Sequence, residues 1–157
     1  MNKKIIAFIA ILLTCSVSAV FAQHLHKAEN AGGFFVRNGT VYYIKGEQVH
    51  HLTSNQELDS GVKIDQRGMV TYTNGTSEQL KNGDLLTFDG NLKPGAVEEH
   101  FEIKDGRLNI VTNDIYTPVE KAMKLENGVM IDENGSTTNG TRLLAGQKMN
   151  LLGEVIK

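Results

Sequence analysis

The sequence is poor in cysteine, proline and tryptophan, and these absences narrow what the chain can be. Its 157 residues include one Cys, two Pro and no Trp. The single cysteine, Cys15, lies in an N-terminal apolar segment of the kind that is removed on export. A chain without it has no disulfide and no cysteine-based metal site, so its stability must come from its core. Lipid attachment to Cys15 is disfavoured because Thr14 precedes it where lipoprotein signals normally have a small residue.

Long hydrophobic runs are also missing. The longest, residues 5–13, follows two lysines and precedes small residues that end at Ala22. Nine apolar residues are far fewer than the roughly 20 that a membrane-spanning helix requires. The pattern is typical of a secretory signal peptide. We predict cleavage after Ala22, no membrane span, and a mature chain in the periplasm or outside the cell.

Positive charge is scarce as well. Without the two lysines of the predicted signal peptide, 14 basic residues face 18 acidic ones, which gives a net charge of −4. Such a chain offers no basic footprint for nucleic acid or for an anionic membrane surface. The composition therefore argues against both of these partners.

Glycine is plentiful, and it falls within an internal repeat. A shift of 67 residues lays residues 34–68 on residues 101–135 without a gap, and 8 of the 35 pairs are identical. After short deletions the match continues and pairs Leu80 with Leu144. Two similar halves indicate one module used twice. The predicted organisation is a signal peptide at 1–22, a flexible tail at 23–33, a first β module at 34–90, a linker at 91–100 and a second β module at 101–157.

The same comparison indicates strands. At four places, positions two apart remain apolar in both halves, whereas the residues between them change in character. For example, Tyr42 of the first half is matched by Asn109 in the second. A period of two is typical of a β-strand and not of a helix. Asn-Gly occurs six times and Asp-Gly twice, mostly between short apolar runs, which favours tight hairpin turns. We predict an all-β fold of two tandem small antiparallel modules whose short strands are joined by these turns. The strands predicted in the first module are 34–37, 40–45, 48–52, 62–65, 69–73, 77–80 and 85–88.

The stretch IDENGSTTNG, residues 131–140, resembles the start of a calcium loop. With Gly135 at position 6, a calcium hand needs strong oxygen ligands at positions 1 and 12, where this chain has methionine and threonine. The equivalent corner of the first half reads IDQRG. We therefore predict hairpin corners, in which Asp65 and Asp132 accept hydrogen bonds from the backbone amides of the turn.

Histidine supplies the remaining soft metal ligands of the mature chain. His24 and His26 flank a leucine near the predicted new N-terminus, and a small periplasmic protein that binds copper or zinc there is the alternative function. His50 and His51 are adjacent in a predicted strand, so they point to opposite faces and cannot easily chelate one ion. His100 ends the predicted linker. No metal or other cofactor is predicted.

Catalytic motifs are not found in the sequence. The mature chain has no cysteine nucleophile, no histidine shared by both halves and no G-x-S-x-G turn, so no nucleophile and base can be assembled. We predict that the protein is not an enzyme, and we assign no catalytic, cofactor-binding or metal-binding residue.

The two halves share a pattern of strands and glycine turns that can be compared with known modules. The first reads VRNGTVYYIKGE … LDSGVKIDQRGMVTYTNGTSEQLKNGDLLTFDGN, and the second reads IKDGRLNIVTND … LENGVMIDENGSTTNGTRLLAGQKMNLLGE. Both resemble an uncharacterised module of secreted proteins from Bacteroidota-type bacteria, domain-of-unknown-function family 6799. The resemblance covers residues 34–153. It implies a tandem module in the bacterial envelope, and no activity, because the family has none assigned.

Together these features predict an exported, non-catalytic binding or structural module of the bacterial envelope. Its expected partner is an envelope protein or a second copy of the chain. The partner surface is predicted at exposed strand edges and at three aromatic residues that we expect on outer faces of the strands. These residues are Phe35, Tyr42 and Tyr72.

Overall fold

Short antiparallel strands make up the regular structure of the chain. The computed structural model describes residues 32–156. Within that range no helix is long and apolar enough to cross a membrane. The strands are β1 (Gly33–Arg37), β2 (Thr40–Lys45), β3 (Gln48–His51), β4 (Gln56–Glu57), β5 (Lys63–Ile64), β6 (Met69–Thr71), β7 (Ser77–Gln79), β8 (Leu85–Thr87), β9 (Leu92–Lys93), β10 (Glu99–Lys104), β11 (Arg107–Thr112), β12 (Ile115–Pro118), β13 (Met123–Lys124), β14 (Met130–Ile131), β15 (Lys148–Met149) and β16 (Val155–Ile156).

Two five-stranded sheets have the same strand order. The first runs β3-β2-β1-β8-β9 and the second β12-β11-β10-β15-β16, with every neighbouring pair antiparallel. A smaller sheet accompanies each: β4-β5-β6-β7 in the first module and β13-β14 in the second. The predicted all-β fold of two modules is confirmed. The predicted linker, residues 91–100, contains β9 and the first two residues of β10.

One five-residue corner recurs along the part of the chain that the structure describes. In each corner the first residue donates its N–H to the carbonyl of the fifth, and the glycine at position four donates to the carbonyl of the first. These glycines have φ between +78° and +89°, a left-handed conformation that other residues adopt only with strain. The predicted role of glycine in turns is thus confirmed. The corners are 58–62, 65–69, 72–76, 87–91, 125–129, 132–136, 137–141 and 150–154.

A hydrophobic core lies in each module, and the residues predicted to alternate inward are found there. Val62 and Ile64 are buried in the first core, Ile131 is buried in the second, and Val129 packs against it. The first core also contains Phe34, Val36, Val41, Leu52, Val70, Leu80 and Leu86, and the second also contains Phe101, Leu108, Ile110, Leu125, Leu143 and Met149.

The pairing of Leu80 with Leu144 is wrong by one residue. Leu80 donates its N–H to the carbonyl of Gly68, and the equivalent bond in the second module runs from Leu143 to Gly135. Leu143 is 1% exposed, whereas Leu144 is 56% exposed. Two adjacent leucines beside a deletion align equally well in sequence, and they are distinguished only in the structure, by the hydrogen bond and by burial.

The first sheet buries both of its faces, so the prediction that Phe35 lies on an outer face is wrong. Phe35, Ile44, Leu85 and Val97 form a separate cluster, and Phe35 is 0% exposed. Successive residues of a strand point to opposite faces, which places this cluster across the sheet from the first core. Val97, from the predicted linker, and Ile115 of β12 cover that face.

The other two aromatic residues expected on outer faces are half-buried. Tyr42 stacks on Phe35, with ring centroids 5.7 Å apart. Tyr72 packs against the first core and donates its hydroxyl hydrogen to Glu78, and this bond raises the pKa of Tyr72 to about 12. Neither tyrosine presents a fully exposed ring to a partner.

A buried ion pair joins the two modules. Arg37 ends β1, Glu99 begins β10, and each side chain is 6% exposed. Arg37 donates to the Glu99 carboxylate through Nε at 3.0 Å and also through Nη2. The hydroxyl of Thr112 accepts from Arg37 at 2.8 Å and donates to Glu99 at 2.7 Å. The guanidinium lies 4.7 Å from the ring centroid of Tyr42, so the charge is compensated on several sides.

Candidate binding groove

Aromatic rings form a row across four neighbouring strands of the first sheet. Phe34 lies opposite Tyr43, and Tyr43 lies opposite His50. The Phe34 and Tyr43 ring centroids are 5.9 Å apart, and the Tyr43 and His50 rings stack at 5.0 Å. Phe88, which follows β8, meets Phe34 edge to face at 5.3 Å. Cross-strand pairing places these side chains on one face of the sheet, where they contact one another.

A groove of about 450 Å³ opens beside this aromatic row. Its base contains the buried residues Phe34 and Leu52 and the half-buried Tyr43 and Leu58, while Phe88 is 40% exposed. This volume is within the roughly 300–1,000 Å³ of small-ligand sites. Exposed polar residues line the remainder, namely Lys45, His51, Thr53, Ser54, Gln56, Glu57 and Asp59.

Hydrogen bonds hold the polar side of the groove in place. Gln66, in the 65–69 corner, donates its side-chain N–H to the carbonyl of Thr53 at 2.6 Å. Gln56 donates to the hydroxyl of Ser54 at 3.1 Å. These contacts fix the segment that follows β3 against the neighbouring corner, so this side of the groove is ordered before a ligand arrives.

Charge along the groove is mixed in sign. Lys45 is on the same side of β2 as Tyr43, because the two are separated by one residue. Glu57 pairs with Lys63 at 3.3 Å, and both side chains are about 60% exposed, so the pair contributes little to stability. With Asp59 as the other carboxylate, the groove has no large excess of either charge.

The aromatic row is specific to the first module. At the positions of Tyr43, His50 and Phe88 the second module has an isoleucine, a threonine and a leucine. Only Phe34 has an aromatic counterpart, Phe101, and that ring is fully buried in the second core. The two modules therefore share a scaffold but do not share this surface.

The three histidines within residues 32–156 contact different partners. His50 stacks on Tyr43 and His51 contacts Tyr42, so the prediction that these neighbours point to opposite faces is confirmed. The Nε2 atom of His100 lies 3.7 Å from a Glu102 oxygen. Across residues 32–156, no three His, Cys, Asp or Glu side chains lie together where they could hold a metal ion. His24 and His26 lie outside the described residues.

The suspected calcium loop is a pair of hairpin corners. Asp132 Oδ1 accepts backbone N–H groups from Asn134 at 2.9 Å and Ser136 at 2.8 Å. Asp65 does the same in the first module, with amides two and four residues ahead at 2.9 Å and 2.8 Å. The predicted capping role of both carboxylates is confirmed, because the same oxygen closes the turn in each module.

We expect the Asp65 corner to make folding stability depend on acid pH. Desolvation raises the pKa of Asp65, but the amides of Met69 and Arg67 and the charge of Arg67 outweigh it and hold that pKa below the ordinary 3.8. The stabilisation is therefore complete above pH 3.8 and is lost as pH falls through the lower pKa of the folded state. Asp65→Asn should reduce stability at pH 6 by at most about 1 kcal/mol.

The free energy of unfolding is measured in urea for wild type and for Asp65→Asn, at several pH values between 6 and about 3. The difference between wild type and Asp65→Asn should narrow as the pH falls below about 3.8, because the carboxylate of the unfolded chain binds a proton before that of the folded chain does. A difference that stays constant over this pH range would show that the Asp65 charge does not contribute.

Comparison with known families concerns mainly the first module. Residues 31–92 match the family model described as Domain of unknown function (DUF6799). The match supports placing this stretch in that domain family. The DUF6799 stretch spans β1 to β8 and the first residue of β9, and it contains all four rings of the aromatic row. The chain matches none of the curated proteins and none of the solved structures with which it was compared.

Only part of this groove could be predicted from the sequence. Phe34, Tyr43 and Phe88 are among the positions that remain apolar in both halves, and this pattern predicts side chains that face inward. The aromatic character of Tyr43 and Phe88, which the second module does not share, was the available sign of a separate role. The face of the sheet extends past the packed core, and the rings at its margin form the groove.

Proposed function

We propose that this protein is an exported, non-catalytic binding protein of the bacterial envelope, and that its first module holds the ligand in the aromatic groove. The observation that carries this proposal is the aromatic row beside an ordered polar wall. In that row Phe88 is 40% exposed, and Tyr43 and His50 are half-buried. Sites for small ligands combine an apolar surface with a few placed polar groups, and this groove has both. Export rests on the signal-peptide pattern of residues 1–22.

We further propose that the second module is a degenerate second copy of the DUF6799 domain with a supporting role. Its five-stranded sheet has the strand order of the first. In place of β6 and β7 it has only two isolated bridges, one between Ile131 and Thr137 and one between Ser136 and Arg142. It lacks the rings, yet it covers the outer face of the first sheet through Ile115 and through the ion pair of Arg37 with Glu99.

The binding function is tested by cosedimentation of residues 23–157 with an envelope fraction of the producing bacterium. We expect wild type to sediment with the envelope and Phe88→Ala to remain in solution. The matched control is Tyr116→Ala in the second module, since Tyr116 is 38% exposed and Phe88 40%. Equal sedimentation of wild type and Phe88→Ala, with unchanged thermal midpoints, would refute binding through the groove.

Export is tested separately by mass spectrometry of the protein recovered from cell fractions. The expected product begins at Gln23 and is found in the periplasm or in the medium. A product that retains Met1 and remains in the cytoplasm would refute export and leave the groove experiment unaffected.

A further inference from the structure

We propose that the ligand of the aromatic groove is an uncharged oligosaccharide. This inference rests on the proposed function and names the ligand class of the same site. A pyranose ring has one or both faces formed by C–H groups and a perimeter of hydroxyl groups. The apolar face of such a sugar packs on the face of an aromatic ring, while its hydroxyls need polar partners at the side.

The exposure of Phe88 favours a ligand that stacks. Phe88 is 40% exposed although its ring touches Phe34, and the ring also lies close to the backbone of Gly32, since a Cβ placed there would be 2.7 Å from it. The ring is therefore fixed from behind while part of its surface stays in water. A sugar face covering that surface removes apolar area from water without the loss of side-chain freedom that a mobile ring would incur.

The polar residues of the groove suit hydroxyl groups. Thr53, Ser54 and Gln56 bring hydroxyl and amide groups, while Glu57 and Asp59 bring carboxylates that accept two hydrogen bonds or more. Hydroxyls both donate and accept, so they can use each of these partners. An apolar ligand would leave the same groups desolvated and unpaired, which costs free energy.

The charge of the groove argues against an anionic ligand. Lys45 is the one cation among the residues that line it, and Glu57 and Asp59 are two anions, of which Glu57 is already paired with Lys63. Phosphate and carboxylate groups are normally bound by clusters of arginine and lysine or by backbone amides at helix ends. The groove thus favours an uncharged ligand.

This site is less suited to binding a peptide. Extended peptides usually bind by adding a strand to a free sheet edge. The edge strands that border the groove, β3 and β4, are only four and two residues long. Such short edges offer few backbone hydrogen bonds to hold a peptide in register.

The test combines a glycan array with treated envelope fractions. Residues 23–157 are applied to an array of uncharged and acidic oligosaccharides, and the best binder is titrated by calorimetry. We expect uncharged oligosaccharides to bind, Phe88→Ala to weaken the Kd about tenfold, and Phe88→Tyr to retain binding. Since the ligand is uncharged, Lys45→Ala and added salt should change the Kd by less than about twofold. Tyr116→Ala is the control.

The treated fractions distinguish this inference from the proposed function. Periodate cleaves the vicinal diols of sugars, and proteinase K removes proteins, so the two treatments destroy different ligands. Cosedimentation that depends on Phe88 should survive proteinase K and disappear after periodate. Any of three results overturns the oligosaccharide inference. The first is cosedimentation that survives periodate and disappears after proteinase K. The others are an array with no binder sensitive to Phe88→Ala, and a preference for acidic glycans. Failure of untreated wild type to cosediment overturns the proposed function itself.

Discussion

Arg37→Ala should lower the free energy of unfolding by about 3–5 kcal/mol, because it leaves Glu99 as an uncompensated charge between the two modules. Glu99 is 6% exposed and would keep one partner, the hydroxyl of Thr112. Loss of the guanidinium also removes its packing against Tyr42. Urea unfolding followed by circular dichroism gives the difference directly.

Two further variants show whether the buried charge is the cause. Arg67→Ala removes an arginine that is 90% exposed and 3.5 Å from Asp65, so we expect a change within about 0.5 kcal/mol. The double variant Arg37→Met with Glu99→Leu removes both buried charges and should recover most of the loss. A cost below about 1 kcal/mol for Arg37→Ala would mean that the ion pair does not hold the modules together.

Leu143→Ala should destabilise the chain by about 2–5 kcal/mol, whereas Leu144→Ala should change it by no more than about 0.5 kcal/mol. Leu143 is 1% exposed in the second core, and its neighbour is 56% exposed. The first variant opens a cavity beside Phe101 and Met149, and the second removes a side chain that is largely in water. The two proteins have the same composition, so they control for each other in thermal and urea unfolding.

Equal effects of the two variants, or a larger effect of Leu144→Ala, would contradict the assignment of Leu143 to the second core. The assignment of the residue equivalent to Leu80 would then be wrong as well. In that case the backbone bond from Leu143 to Gly135 could not serve as the marker of equivalence between the modules.

Most strands of the first sheet could be predicted because their pattern extends over several residues. The strand predicted at 40–45 is found as Thr40–Lys45, and the one predicted at 34–37 begins a single residue earlier. The two-residue strands β4 and β9 were not predicted, whereas β5, also of two residues, lies within the strand predicted at 62–65. Two residues cannot display a period of two, and their positions are set by the corners on either side.

The burial of Phe35 could not be predicted from the drift of its position between halves. Glu102 stands at the equivalent place in the second module, which suggested an exposed site. The difference arises because Val97 and Ile115 pack against the cluster that contains Phe35, whereas the side chain of Glu102 remains 24% exposed. Contacts between modules involve residues that differ between the two halves, so comparing the halves cannot reveal them.

The candidate groove could not be predicted from the sequence, for a related reason. Its rings meet the same requirement as core residues, an apolar side chain on an inward-facing position, and the sequence does not show where the core ends. The polar wall comes from residues 53–59, which have no strand longer than two residues and no motif. Tertiary placement by the hydrogen bond from Gln66 to Thr53 completes the site.

The five-residue corner has a consequence for how this fold can change in length. Each corner is closed by its own hydrogen bonds, so a hairpin can be shortened without disturbing its neighbours. Counterparts in the two modules lie 67 residues apart before the 72–76 corner and 63 residues apart after it, yet β15 pairs with β10 as β8 pairs with β1. The fold thus tolerates insertions and deletions at residues 72–79, and this hairpin is the natural place to graft a foreign loop.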